Sequence, residues 1–248
     1  MTTISLSLRH AANKTVFAAC IAAFCWMPEP LGAQSPFPDE NVPETGFTAI
    51  FDGKTLDGWE YDPVYWRVEG DRMVGEVTPE TLLERNSFIV WKGGTPADFE
   101  LKMEYRVSPE GNSGINYRSV KVPGVAHALK GYQLDIDGPG QWTGQNYEER
   151  GRTFLALRGQ ATQAEPGKKP HVIGSTGDKD ALFAEIDRDG WNVIAKGNTL
   201  IHLINGKVMS IVVDDDPHER TRKGLIGMQV HVGPPMKIEF RNIRLKTR

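Results

Sequence analysis

Short runs of alternating apolar and polar residues fill most of this chain, and Gly, Pro, Asn and Asp separate them. Phe99, Leu101, Met103 and Tyr105, for example, fall on one face of an extended segment. Asn205-Gly206 between two such runs predicts a two-residue hairpin turn. Strands are predicted over Thr48–Phe51, Tyr65–Glu69, Arg72–Glu76, Ser87–Trp91, Phe99–Val107, Gly114–Arg118, Tyr132–Ile136, Thr153–Leu157, Trp191–Lys196, Thr199–Ile204, Lys207–Val213, Gly224–Val232 and Lys237–Lys246. Only Thr81–Glu84 and Asp180–Glu185 have a helical pattern, and residues 158–180 are predicted to be a long loop at the rim of a site. The pattern predicts an all-β sandwich or jelly roll.

The first 33 residues have the pattern of a signal peptide. Arg9 and Lys14 precede a short apolar run over residues 16–26, and Leu31-Gly32-Ala33 is an acceptable cleavage site. The apolar run is too short for a stable membrane-spanning helix. We expect a periplasmic or secreted protein. An uncleaved anchor and a lipid-modified Cys20 are the alternatives.

The composition and length of the predicted mature chain indicate one domain without cysteine. Both cysteines, Cys20 and Cys25, lie in the predicted signal peptide, so no disulfide is expected and the core alone must stabilise the fold. Residues 34–45 read as a flexible Pro-rich leader and residues 46–248 as a single β-sandwich domain. A formal net charge of −3 gives no electrostatic footprint for nucleic acid, and the mature chain contains no apolar segment that could span a membrane.

Three predicted strands carry polar side chains that form directional hydrogen bonds. These are Asn116 and Arg118 on the first strand, Gln133, Asp135 and Asp137 on the second, and Gln229 and His231 on the third. Alternation places each set on one face of its strand, which can be an ordinary solvated outer face. Amides, paired carboxylates, Arg and His are instead the groups that match sugar hydroxyls. The choice of residues therefore favours a carbohydrate site over a solvated surface.

Other charged residues leave alternatives open. Arg150 or Arg152 could neutralise the two aspartates and Glu148 could act as a base, or the run 147–152 could be a surface network. Asp214-Asp215-Asp216 is interpreted as a solvated turn, with a metal site as the weaker reading. His202 and His171 are interpreted as structural, and His127 is undecided.

Two familiar motifs are absent around Asp135. A calcium loop beginning there would need an oxygen ligand at its fifth position and Glu at its twelfth, where this chain has Pro139 and Asn146. A retaining glucanase needs two carboxylates about 5–5.5 Å apart in a Glu-x-Asp-x-x-Glu pattern. The outer positions here are Gln133 and Gly138, which cannot act as nucleophile and acid. An ordinary glucanase mechanism on this strand is therefore not expected.

The chain resembles the 3-keto-disaccharide hydrolase domain family over about residues 46–246. The segments that carry the resemblance are 47–59 (FTAIFDGKTLDGW), 112–118 (NSGINYR), 131–137 (GYQLDID), 147–152 (YEERGR), 205–206 (NG), 229–235 (QVHVGPP) and 240–243 (FRNI). The resemblance implies an exported bacterial protein with a concanavalin A-like β-sandwich that acts on glycosides oxidised to a ketone at carbon 3. Many members have Glu and Gln where this chain has Gln133 and Asp135, so it is similar to the subset with a Gln-x-Asp-x-Asp strand.

The implied substrate suggests a mechanism that needs no glucanase pair. A ketone at carbon 3 acidifies the proton on carbon 2, a base removes that proton, the enolate expels the aglycone, and water adds back. Our hypothesis assigns the enolate oxygen to Arg118, alone or together with Gln229. It assigns removal of the carbon-2 proton to His231 or Glu148. The substrate-binding residues would be Asn116, Gln133, Asp135, Asp137, Arg150, Gln229 and Trp142. No cofactor is assigned, although Asp135 and Asp137 could bind a divalent cation.

Two other functions are also compatible with the sequence. The β-sandwich fold also hosts non-catalytic carbohydrate-binding modules, which use exposed aromatic residues, and Trp142 is the one Trp that reads as exposed. An ordinary glycosidase with unusually placed carboxylates is the second alternative.

Overall fold

The computed structural model describes residues 45–184, 186 and 191–247. The predicted signal peptide, and the predicted leader except for Thr45, lie outside the described residues. The strands are β1 (Thr48–Ala49), β2 (Trp59–Glu60), β3 (Trp66–Glu69), β4 (Arg72–Val77), β5 (Ser87–Trp91), β6 (Phe99–Val107), β7 (Asn112–Lys121), β8 (Leu129–Asp137), β9 (Asn146–Glu149), β10 (Thr153–Ala156), β11 (Gln160–Ala164), β12 (His171–Ser175), β13 (Trp191–Lys196), β14 (Thr199–Ile204), β15 (Lys207–Asp214), β16 (Leu225–Val230) and β17 (Met236–Thr247), and the helix is α1 (Lys179–Ala184).

The strands form two sheets, which confirms the predicted all-β sandwich of the concanavalin A-like or jelly-roll class. One sheet has the order β12-β11-β15-β14-β13-β6-β17-β4-β3, with β1 paired to β17. The other has the order β10-β9-β8-β7-β16-β5-β2. Neighbouring strands are antiparallel except for β11 and β15. No helix among the described residues is long and apolar enough to cross a membrane.

Alternation along the strands builds the core between the sheets. On β6 the predicted face of Phe99, Leu101, Met103 and Tyr105 is buried, while the intervening charged residues are more exposed. On β17 the buried positions change phase at a bulge next to Asn242, which has a positive φ of 52°. The extra residue lets one long strand keep its apolar side chains in the core on both sides of the bend.

The middle of the seven-stranded sheet positions the candidate site. Strand β7 lies between β8 and β16, and β16 in turn pairs with β5. The core-facing residues of these strands include Ile115, Tyr117, Leu134, Met228 and Val230. The residues between them therefore project from the opposite face, which we call the outer face.

Four expectations about secondary structure were wrong or incomplete. Thr81–Glu84 is not helical, because Thr78 and Thr81 close a turn through backbone and side-chain hydrogen bonds. The long loop over 158–180 instead contains β11 and β12, since β11 gains a parallel partner from the distant β15. Strands β2 and β9 were also missed. The second predicted helix is confirmed at Lys179–Ala184, and Glu185 lies outside the described residues.

Candidate active site

The outer face of the seven-stranded sheet is polar at its centre, yet it is buried. Asn116 is paired in register with Gln133 on one side and with Gly227 on the other. Gln133, Asp135 and Gln229 expose only 4%, 7% and 0% of their surfaces. A solvated outer face would be far more exposed. The alternative reading of these residues as ordinary surface is therefore wrong.

A chain of amide hydrogen bonds ends on the Asp135 carboxyl group. Gln229 Nε2 donates to Gln133 Oε1 at 3.1 Å, and Gln133 Nε2 donates to Asp135 Oδ1 at 2.6 Å. From the other side, Gln145 Nε2 donates to Asp135 Oδ2 at 3.0 Å. Gly114 lies beneath this chain, and a Cβ there would come within 2.5 Å of the Gln133 side chain. The glycine therefore makes room for a contact between β16 and β8 that crosses β7.

Burial changes the acidity of Asp135. Loss of solvent raises the pKa of this carboxyl group from 3.8 to about 7, although the hydrogen bonds from Gln133 and Gln145 act in the opposite direction. Near neutral pH the group is therefore divided between its protonated and ionised forms. A carboxyl group in that state can both accept and return a proton.

Two amides on the same face have polar atoms without partners among the described residues. Both Nδ2 and Oδ1 of Asn116 are buried and make no hydrogen bond, and the same holds for Gln229 Oε1. Buried polar groups are almost always paired, so such atoms call for an explanation. Together they are one donor and two acceptors for which the described residues supply no partner.

His231 follows β16 and is half-buried. Its Nδ1 lies within hydrogen-bonding distance of the Val232 carbonyl oxygen, to which it must donate. Nε2 of the neutral ring is then the acceptor. Burial lowers the pKa of His231 below its ordinary value of 6.5, so the ring is neutral at pH 7. The predicted role of His231 as a base is compatible with this state.

Asn86 connects the His231 segment to a charged pair. Val232 N donates to Asn86 Oδ1 at 3.0 Å, and Asn86 Nδ2 donates to Glu149 Oε1 at 3.3 Å. Glu149 forms an ion pair with Arg150, while burial raises the pKa of its carboxyl group. Arg150 therefore neutralises Glu149. The sequence had suggested Asp135 and Asp137 as its partners, and the structure pairs it with neither.

Arg118 does not share a face with Asn116, contrary to the sequence prediction. It has a positive φ of 46° at a β-bulge, which reverses the alternation of β7. Its buried guanidinium donates to the carbonyl oxygens of Ala97 and Gly197, both at 2.8 Å, and to Asp98 at 3.1 Å. These contacts join the two sheets, so the placement of Arg118 is that of a structural residue.

Glu148 also points away from the outer face. Arg152 Nε donates to Glu148 Oε2 at 2.7 Å, and Arg152 also contacts Asp214 Oδ2 at 2.6 Å. The Tyr132 hydroxyl donates to the same Asp214 oxygen at 2.6 Å. Asp214 is 1% exposed, so reading it as part of a solvated turn was wrong. Glu148 belongs to this buried network, and the structure does not bring it together with Asp135.

Asp137 holds the loop that follows β8. Its carboxylate oxygens accept hydrogen bonds from the backbone N–H groups of Gln141, Trp142 and Thr143 and from the Thr143 hydroxyl. Both oxygens of Asp135 also accept amide hydrogen bonds. No group of three or more His, Cys, Asp or Glu side chains in the described part of the chain is arranged to hold a metal ion. The two carboxylates considered for a cation therefore already have partners.

The same loop carries Trp142 to an aromatic cluster. Trp142 stacks on Phe154, with the ring centroids 5.6 Å apart, and Tyr147 meets Phe154 edge-on at 5.1 Å. Phe154 is 43% exposed. The cluster gives the rim of the outer face an apolar surface of the kind that stacks against sugar rings.

Several site residues were not singled out from the sequence. Gln145 and Asn86 lie outside regular strands, where single amides have no periodic signal. Tyr147, Glu149 and Phe154 lie on the short strands β9 and β10. The sequence marks the run 147–152 as a candidate for the site, but it does not show which side chains share a face. The pairing of β9 with β8 places Tyr147 and Glu149 on the opposite face from Glu148.

The fold and this buried polar face define a β-sandwich protein with a candidate site on one sheet. A family model, the 3-keto-α-glucoside-1,2-lyase-like domain, matches residues 46–246, and the chain belongs to that family. The family predicted from the sequence motifs is thereby confirmed, and membership places the chain among carbohydrate-active proteins. None of the curated proteins matches the chain.

Two solved structures of low identity share the fold, and a third has a lower score. A candidate glycosyl hydrolase from Parabacteroides distasonis ATCC 8503 has a TM-score of 0.52 and 17% identity, with 82% of this chain and 99% of the other covered. A second candidate glycosyl hydrolase from the same organism has a TM-score of 0.52 and 19% identity, with coverage of 82% and 94%. A carbohydrate-binding module from Bacillus subtilis has a TM-score of 0.49 and 14% identity, with coverage of 77% and 96%. At these identities the likeness to the two Parabacteroides distasonis structures shows the fold alone.

Proposed function

We propose that the chain cleaves 3-keto-α-glucosides by elimination across carbons 1 and 2, followed by hydration. The observation that carries this proposal is the Asp135 carboxyl group, which is buried among directed amides and has a pKa raised to about 7. Removal of a proton next to a ketone needs one well-placed base with a pKa near the working pH. The family description, which names a 1,2-lyase acting on 3-keto-α-glucosides, supports the same reaction.

The proton transfers are assigned to Asp135. Its ionised form takes the carbon-2 proton, and the electron pair of that C–H bond becomes the enolate. When the enolate collapses, the ketone at carbon 3 re-forms, a double bond forms between carbons 1 and 2, and the bond from carbon 1 to the leaving oxygen breaks. The proton held by Asp135 passes to the leaving oxygen. Water then adds its oxygen to carbon 1 and a proton to carbon 2, which yields the free 3-keto sugar.

The neighbouring amides bind the rest of the sugar. Asn116 Nδ2, a buried donor with no partner among the described residues, is assigned to the oxygen at carbon 3, where negative charge develops. Asn116 Oδ1 and Gln229 Oε1 accept from sugar hydroxyls. Asn116 thus takes the role at the enolate oxygen that the sequence hypothesis gave to Arg118. The Arg118 guanidinium donates to backbone carbonyls on the other side of the sheet. His231, neutral at pH 7, is assigned to activate the added water.

A test compares a 3-keto-glucoside carrying a chromogenic aglycone with the unoxidised glucoside. We expect cleavage of the keto sugar alone, and a loss of at least about 100-fold in Asp135→Asn, the range that general acid–base catalysis contributes. Asp215→Asn is the matched control, because Asp215 also accepts hydrogen bonds from two side-chain amides, those of Gln163 and Asn198. Equal cleavage of both glucosides, or full activity of Asp135→Asn, would contradict the proposal.

The aromatic cluster supports a second candidate function, a non-catalytic carbohydrate-binding module. Trp142 and Phe154 form a partly exposed stacked pair at the rim of the site. A binding module would bind the unoxidised sugar saturably and cleave neither glucoside.

Export to the periplasm or beyond is likewise part of the proposal. Mass spectrometry of the mature protein tests it by locating the N-terminus after residue 33.

A further inference from the structure

A cavity borders the same sheet at the loop between β7 and β8. Its volume is about 260 Å³, and Glu60, Lys121, His127 and the apolar side chains of Val90 and Val122 contribute to its walls. Ligand pockets for drug-sized molecules begin at about 300 Å³. This cavity is therefore of a size for one small ring.

The charged groups of the cavity neutralise each other. Lys121 Nζ lies 2.7 Å and 2.6 Å from the two carboxylate oxygens of Glu60. An anion or a cation would therefore meet no net charge. The pair does place an N–H donor beside a carboxylate acceptor, and both groups are partly exposed to solvent. Neighbouring hydroxyls on a ring each donate and accept, so they match such a pair.

His127 adds two features that a simple loop would not have. Its Nδ1 is buried and has no hydrogen-bonding partner among the described residues. Its backbone has a positive φ of 51°, a conformation that costs a non-glycine residue free energy. His127 lines the cavity, and a strained residue with an unpaired polar atom is more typical of a ligand contact than of a connection between strands.

The cavity adjoins the candidate active site through β5. Phe88 on β5 is paired in register with Gln229, and its backbone N–H donates to the His127 carbonyl oxygen at 2.9 Å. Val90, two residues further along the same face, forms part of the cavity wall. The cavity therefore lies beside the strand that pairs with Gln229, on the same sheet as the candidate site.

We propose that this cavity binds a neutral hydroxylated ring and receives the leaving-group sugar of a 3-keto-disaccharide. The identity of the ring as a leaving group rests on the proposed function, whereas the binding of a hydroxylated ring does not. Val90, Val122 and Ala126 would face the C–H surface of the ring, while His127 and the Lys121–Glu60 pair would bind its hydroxyls.

Binding of unoxidised methyl α-glucoside, measured by NMR titration, tests the cavity without any catalysis. We expect saturable binding to the wild type and a Kd raised about tenfold in Lys121→Met, as for the loss of a hydrogen bond. Ala126→Trp, at an exposed position of the wall, should block the cavity and weaken binding at least as much. Lys168→Met is the matched control, since it removes an exposed lysine from another Lys–Glu pair. No saturable binding, or binding that both cavity variants retain, would overturn the proposal.

The kinetics of a 3-keto-disaccharide separate the two proposals. If the cavity receives the leaving group, Lys121→Met raises KM about tenfold for the disaccharide but not for a 3-keto methyl glucoside, with kcat unchanged. Equal KM values for wild type and Lys121→Met would overturn the assignment to the leaving group. Binding of methyl α-glucoside without turnover of any keto sugar would sink the proposed function and leave the cavity as a sugar site.

Discussion

The substitution Asp135→Asn is expected to stabilise the fold at alkaline pH while it abolishes the proposed elimination. Asp135 is buried, and its pKa is raised from 3.8 to about 7 in the folded protein. Between about pH 4 and pH 7 the folded state therefore holds a proton on Asp135 that the unfolded state has released. The free energy of unfolding falls as pH rises through this interval, because ionising a buried carboxyl group costs more than ionising an exposed one. Asparagine has nearly the same shape and no charge to bury.

The magnitude follows from the two pKa values. At 1.36 kcal/mol per pKa unit, the full difference corresponds to about 4 kcal/mol above pH 7. Between pH 5 and pH 8.5 the wild type should lose about 3 kcal/mol through Asp135 alone, and Asp135→Asn should lose none of this. The asparagine amide also has to be accommodated by rotation of the Gln145 amide. The change of the mutant–wild-type difference with pH is therefore more informative than its value at one pH.

Urea unfolding of both proteins at pH 5 and pH 8.5 measures this change. Asp215→Asn is the control, because hydrogen bonds to the partly exposed Asp215 lower the pKa of its carboxyl group below 3.8. Asp215 is therefore ionised in both the folded and the unfolded state between pH 5 and pH 8.5, and it adds no pH dependence in this interval. We expect the advantage of Asp135→Asn over wild type to grow by about 3 kcal/mol at the higher pH. A difference that stays constant, or that shrinks as pH rises, would refute the raised pKa on which the catalytic assignment rests.

Four further predictions concern the residues around this carboxyl group. The profile of kcat/KM against pH should rise with a midpoint of about 7, and Gln145→Met should move that midpoint up by about one pH unit because ionised Asp135 loses a hydrogen bond; a midpoint that moves down would contradict this. Gly114→Ala should lower kcat/KM at least about tenfold and destabilise the fold by about 1–3 kcal/mol, because its Cβ collides with Gln133; wild-type kinetics would refute the amide chain. Arg118→Met should lower the free energy of unfolding by about 3 kcal/mol, with kcat of the folded protein nearly unchanged; a large loss of kcat in a stable variant would return Arg118 to the catalytic site. Trp142→Ala should raise KM or the sugar Kd about three- to tenfold through lost stacking, and unchanged binding would remove the aromatic cluster from the site.

Alternation was sufficient to predict the sandwich and much of the polar face. The spacing of Gln133 and Asp135, and of Gln229 opposite Met228 and Val230, assigned these residues correctly to one side of their strands. A strand has a period of two, so its sequence carries this information locally. The strands β11 and β12 were missed because their pairing depends on a distant strand rather than on their own pattern.

Arg118 and Glu148 show where alternation cannot assign a site. A bulge inserts one residue and reverses the face of everything after it, and the positive φ of Arg118 has no signature in the sequence around it. Glu148 and Glu149 are adjacent acids, and only the register of β9 against β8 shows which one faces the core. The buried network of Glu148, Arg152 and Asp214 likewise brings together residues 62 positions apart. Its members read as surface charges in the sequence because their partners cannot be seen there.

The most direct test of the proposed elimination is the hydrogen at carbon 2 of the released sugar. A 3-keto-α-glucoside is incubated with the protein in D₂O, and the first product formed is analysed by NMR before spontaneous exchange sets in. Elimination and hydration break the C2–H bond in every turnover, so the released 3-keto-glucose should carry deuterium at carbon 2 from the outset, and Asp135→Asn should release almost none. Product that retains its original hydrogen at carbon 2 would mean that the C1–O bond breaks by direct displacement, and would contradict the account.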